Sequence, residues 1–96
     1  MKGVNKMVTV IFPSLISRIT KEKQIEVAAK TLGEALDILV KKYGDSFKKI
    51  FFNESGDINR LLNFYINGKK IISYNKMEVI LMEEDKLNIL IIITGG

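Results

Sequence analysis

The chain has no cysteine and no histidine, one proline, no tryptophan and only seven glycines in 96 residues. Without cysteine there are no disulfides, no thiolate metal sites and no thiol nucleophile; without histidine the commonest general base and metal ligand is missing too. Most self-contained catalytic mechanisms are thereby excluded. No run of about 18 apolar residues is available to span a bilayer, and the start "MKGVNKMVTVIF" lacks the long apolar stretch and small-residue cleavage site of a secretory signal. The expectation is a cytoplasmic protein without a membrane segment. Arginine is scarce as well, with Arg18 and Arg60 the only two, and the lysines occur as scattered pairs such as Lys41 and Lys42 or Lys69 and Lys70. A net charge of +4 with no aromatic-rich stacking motif reads as solvated surface lysines and not as a nucleic-acid site.

What the chain does have is hydrophobic content, 47%, enough for one compact domain and too short a length for two. Residues 1–96 are expected to form that domain, with 94–96 as a flexible tail. "VNKMVTVIF" alternates, with Val4, Val8, Val10 and Phe12 on one face, which predicts a first strand from residue 4 or 5 to 12. Pro13 lacks the N–H a central ladder needs and should end it. "PSLISRITKEK" reads as a polar connection with room for a short helical piece, and "KQIEVA" as a second strand completing a hairpin.

Thr31 and Glu34 have the spacing of a capping box, in which each side chain satisfies a backbone N–H at a helix start. Leu32, Ala35, Leu36, Leu39, Val40 and Tyr43 then recur at three- and four-residue steps, and Gly44 offers a left-handed stop. Between Asp45 and Arg60 no period is sustained, and the reading is irregular chain with a short helical turn anchored by Ile50, Phe51 and Phe52. In "LLNFYINGKKII", Leu62, Phe64 and Ile66 alternate, Asn67-Gly68 matches a type I′ turn, and Lys70 to Ile72 forms a short return strand. A turn-rich connector follows, closing with Glu83, Glu84 and Asp85. The last strand runs from Leu87 to Ile93 or Thr94.

That last strand is largely apolar on both faces, with Leu87, Ile89, Ile91 and Ile93 on one and Asn88, Leu90, Ile92 and Thr94 on the other. At an exposed edge such a strand would template aggregation, so it should be central, one face under the helix. The opposite face lies either beneath a loop or open as a patch for a partner. The chain then ends on Gly95 and Gly96, two residues with no side chain, which gives a thin and adaptable probe.

The order strand, strand, helix, strand, strand, strand, the Asn67-Gly68 hairpin, the acidic turn and the terminal Gly95-Gly96 together resemble the ubiquitin-like β-grasp sulfur carriers of the MoaD/ThiS family, most closely the small subunit of molybdopterin synthase. The pattern departs from that family where Pro13 follows Phe12, where Arg18 has no acidic neighbour, and where Ile91 and Ile92 replace prolines common near the end. The resemblance implies an α+β fold, a mixed sheet of four to five strands with one main helix on one face. It implies that the Gly96 carboxylate is adenylated and turned into a thiocarboxylate, with Gly95 supplying tail flexibility. Leu90, Ile92 and Thr94 become candidate partner-binding residues. No cofactor or metal is expected to be bound; ATP is used by an E1-like adenylyltransferase, and a molybdopterin synthase large subunit accepts the sulfur. Catalytic groups would come from those partners. A lysine-conjugated modifier, a thiazole-forming carrier and a non-catalytic interaction module with an idle tail remain the alternatives.

Overall fold

The computed structural model describes residues 7–73 and 75–92. Strands β1 (Met7–Ile11), β2 (Gln24–Ala28), β3 (Leu62–Ile66), β4 (Lys69–Lys70) and β5 (Lys86–Ile91) form one mixed sheet in the order β2-β1-β5-β3-β4. The strand with two apolar faces is therefore the middle one. β5 runs parallel to β1, with Val10 beside Leu87, and antiparallel to β3, with Phe64 beside Ile89. Every other pairing is antiparallel, including the β1–β2 hairpin in which Val8 faces Val27.

Three helices accompany the sheet, α1 (Ser14–Thr20), α2 (Leu32–Tyr43) and α3 (Asp45–Phe51). α2 is the main one, and its apolar stripe of Leu32, Ala35, Leu36 and Leu39 is buried against Val8, Val10, Leu62, Phe64, Leu87 and Ile89. Val40 and Tyr43, counted in the same stripe, are only partly buried at its margin. The Glu34 N–H donates to Thr31 Oγ1 at 3.1 Å as the capping spacing requires. The return bond is shifted by one residue, since Glu34 Oε1 accepts from the Lys30 N–H at 2.9 Å and not from Thr31. Gly44 stops the helix at φ 85 and ψ −161, a positive-φ but extended conformation open to glycine rather than the left-handed helical one expected.

The region from Asp45 to Arg60 is more ordered than its sequence suggested. α3 occupies seven residues and buries Phe47 and Phe51 completely, their rings meeting edge to face at 4.2 Å between centroids, while Phe47 also touches Phe12 and Tyr43. Phe47, absent from the expected anchors, is as fully buried as Phe51, because the turn at Gly44 redirects the chain and starts a new helical phase. The following loop is tied by side-chain amides. Asn53 Oδ1 accepts from the N–H groups of Ser55 and Asp57, and Asn59 links Ile50 O to the Leu61 N–H. These bonds supply the order that hydrophobic periodicity could not announce.

Several boundaries move. β1 begins at Met7 within the described residues; its predicted start at residue 4 or 5 lies outside them. The helical piece between β1 and β2 is α1. The return strand is Lys69–Lys70 and not Lys70 to Ile72, although the Ile71 N–H still reaches Phe64 O at 2.8 Å. β5 ends at Ile91, with Ile92 adding one further bond. A 3₁₀ turn at Lys76–Glu78 packs on the start of α2 so tightly that a Cβ on Gly33 would sit 2.9 Å from Met77 O. At the other end of α2 the Tyr43 hydroxyl donates to the Glu22 carboxylate. Burial first, and that bond second, hold its phenol well above the usual tyrosine range.

Candidate functional site

β5 positions the site. Its inward residues Leu87 and Ile89 are fully buried beneath α2, and its outward residues are not, because no helix among the described residues covers that face. Leu90 is 45% exposed and Ile92 is 43% exposed, so the two partner-binding candidates that the structure describes are open to solvent. Thr94, Gly95 and Gly96 lie outside the described residues. The chain is held on the sheet through Ile92, whose N–H donates to Leu61 O at 2.7 Å.

Pairing brings further apolar side chains to the same face. Leu90 is registered with Asn63 on β3, and the Ile92–Leu61 bond places exposed Leu61 beside Ile92. Continuing the β3–β4 register by two residues puts Ile72, 87% exposed, opposite Asn63. Leu61 and Ile72 were missed in the sequence. The signal was present: both are in alternating phase with outward residues, Leu61 with Asn63 and Tyr65, Ile72 with Lys70. Neighbouring exposed apolar side chains of this kind mark an interaction surface more often than isolated ones do.

The charges beside this surface are of one sign. On β1, β5, β3 and β4 the charged residues in outward phase are Lys86 and Lys70, and exposed Arg60 adjoins Leu61; the acidic residue of that phase, Glu26, sits on the far edge strand β2. An apolar patch with a cationic margin suits a partner that is apolar at its centre and acidic at its rim.

The same end of the sheet carries α1. β1 and β5 are parallel, and α1 follows the end of β1, so it stands at the end toward which β5 runs. α1 buries Ile16 and Thr20 and leaves Leu15 and Ile19 exposed. Among the described residues no group of three or more acidic side chains is arranged to hold a metal ion. No helix there is long and apolar enough to cross a membrane. A surface depression of about 960 Å³, lined by Asp45, Lys48, Lys49, Phe52, Asn53 and Asn59 among others, belongs to α3 and its loop and not to the β5 face.

No sequence-family model matches the chain, and no curated protein matches it. Solved structures do. Small archaeal modifier protein 1 of Methanosarcina acetivorans superposes with a TM-score of 0.83 at 21% identity, covering 98% of this chain and 100% of that one. The Amycolatopsis orientalis BexX/CysO complex matches with a TM-score of 0.77 at 26% identity over 93% of this chain and 99% of the matched one. Urm1 of Sulfolobus solfataricus is 28% identical, with a TM-score of 0.64 over 88% of this chain and 99% of that one. The mixed five-stranded sheet with its helical layer is therefore the ubiquitin-like β-grasp fold, shared along nearly the full length with small carriers and modifiers of this kind.

Proposed function

We propose that this chain is a cytoplasmic sulfur carrier whose charged group is the Gly96 carboxylate, and that it serves as the small subunit of a molybdopterin synthase. The observation that carries the reading is the course of β5: a central strand, paired with β1 as far as Asn88 and with β3 as far as Ile91, delivers the chain to Ile92 beside an open apolar surface, four residues before Gly96. A partner seated on Leu90, Ile92, Leu61 and Ile72 would have the glycine end within reach of its own active site.

The chemistry needs partners because a carboxylate is a poor electrophile. An E1-like adenylyltransferase supplies ATP; a Gly96 carboxylate oxygen attacks the α-phosphorus and pyrophosphate leaves. The resulting acyl adenylate has a good leaving group. Hydrosulfide delivered by the activating system adds to the acyl carbon, AMP departs as the acyl C–O bond breaks, and loss of the sulfur-bound proton leaves the thiocarboxylate. The large synthase subunit then directs that sulfur to the pterin precursor. Because the sulfur rides on the main chain, no cysteine is needed, and with no side chain at Gly95 or Gly96 the end fits a narrow channel. The role of this chain is to bind, orient and present.

Incubation with ATP and the cognate activating enzyme should yield an adenylate and then a sulfur mass gain on the free protein, and removal of Gly96 should abolish both. An unchanged reaction in the truncated protein would reject the reading. A second reading is favoured by the match to a protein named as a modifier: the same activated end joined to lysine amines of other proteins. Gly-Gly remnants on lysines in digested lysate would select it, and full complementation by a chain lacking Gly96 would select an interaction module whose end is idle.

A further inference from the structure

We propose that Asn67 is a site of spontaneous deamidation, and that the native fold restrains it through the carboxylate of Asp85. Asn67 is the only asparagine followed by glycine. In such a pair the Gly68 backbone nitrogen, unshielded by a Cβ, can attack the Asn67 side-chain carbonyl carbon. Ammonia leaves, carrying the proton lost from the attacking nitrogen, and a five-membered succinimide closes. Water opens the ring to aspartate or isoaspartate, so the balance is one water consumed and one ammonia released. Both residues are exposed, and the space around the Gly68 Cα is open, so solvent has free access to the turn.

Access alone would make the turn labile, but the side chain is not free to rotate onto its own backbone. Asn67 Nδ2 donates to Asp85 Oδ1 at 2.8 Å, and Asn67 Oδ1 accepts from the Lys86 N–H at 2.9 Å. The main chain joins in, with the Asn67 N–H on Lys86 O at 2.9 Å and φ held at 51. Asp85 is itself fixed, its second oxygen accepting from the Met82 N–H at 2.7 Å. Ring closure therefore requires two side-chain bonds to break, one of them to an ionised carboxylate. These bonds span the entrance of β5, and the amide supplies the donor of one and the acceptor of the other. An aspartate at position 67 would set two carboxylates against each other, and an isoaspartate would add a methylene to a two-residue turn; either product unties the β3–β4 turn from β5.

The test is peptide mapping by mass spectrometry of the full chain aged at mildly alkaline pH, folded and in urea, with Asn53, Asn63 and Asn88 as internal references. Asn67 should convert rapidly in urea and slowly in the folded protein. Asp85→Ala, which removes the acceptor altogether, should raise the folded-state rate by roughly tenfold, the factor that corresponds to losing one hydrogen bond to a charged group. Ile89→Val, a destabilising core change away from the turn, should leave the rate near that of the wild type. The proposal is overturned if the folded wild type ages at Asn67 as fast as the protein in urea, or if Ile89→Val accelerates it as much as Asp85→Ala does. The comparison between folded and urea-treated wild type decides the matter even if the Asp85 variant does not fold.

Discussion

The two faces of β5 are built from the same kind of residue and do opposite things. Leu87 and Ile89 point under α2 and are fully buried, whereas Leu90 and Ile92 point away and keep nearly half their surface in water. Burial of a leucine or isoleucine contributes on the order of 1.5–3 kcal/mol, so the inward pair helps hold the fold. The outward pair forgoes much of that gain. Under the proposed function, the apolar surface left open on this central strand serves association and not folding.

Changes to each face should separate the two roles. Leu87→Ala or Ile89→Ala removes packed volume from a site closed in by α2, β1 and β3, and should lower unfolding free energy by about 2–5 kcal/mol in urea titrations. A smaller loss would mean that the core relaxes around the gap. Leu90→Glu and Ile92→Glu should change stability by no more than about 0.5 kcal/mol. They should weaken binding to the activating enzyme by roughly tenfold or more in calorimetry, as central interface residues do. Unchanged binding with both substitutions present would remove this face from the functional reading.

Smaller effects probe the helical layer that makes the inward face inward. Gly33→Ala improves helix propensity by about 1 kcal/mol but drives a Cβ to 2.9 Å from Met77 O, and overpacking of that kind costs about 1–3 kcal/mol. The expected outcome is a net loss on the order of 1 kcal/mol in thermal melts; a gain would show that the 3₁₀ turn yields easily. Tyr43→Phe removes the bond to Glu22 and should cost about 1 kcal/mol at neutral pH. Because the Tyr43 phenol is raised in the fold, its contribution is complete below the unfolded tyrosine value of about 10 and is lost as pH climbs toward the higher folded value. Wild-type stability should therefore fall more steeply above pH 10 than that of Tyr43→Phe.

Much of this was readable from short-range pattern. The alternation in β1 and β3, the stripe of α2, the Thr31 cap and the Asn67-Gly68 turn are consequences of neighbours within a few residues of each other, and each is found in place. The central position of β5 followed from its two apolar faces. α3 was only partly legible, because seven residues carry less than two helical turns and their phase is reset at Gly44. The loop from Asn53 to Leu61 was opaque because its order comes from side-chain amides rather than from hydrophobic period. At the site, Leu90 and Ile92, named together from the sequence, are both exposed, while Leu61 and Ile72 joined them only once strand register was known.

By itself, then, the sequence determined the main strands, the long helix and which of their residues share a face, since these depend on backbone periodicity and local chemistry. Whether the Leu90 and Ile92 face of β5 is covered or open was decided by tertiary structure alone. Alternation assigns residues to opposite sides, but only the docking of α2 across distant strands turns one side into core and leaves the other as surface.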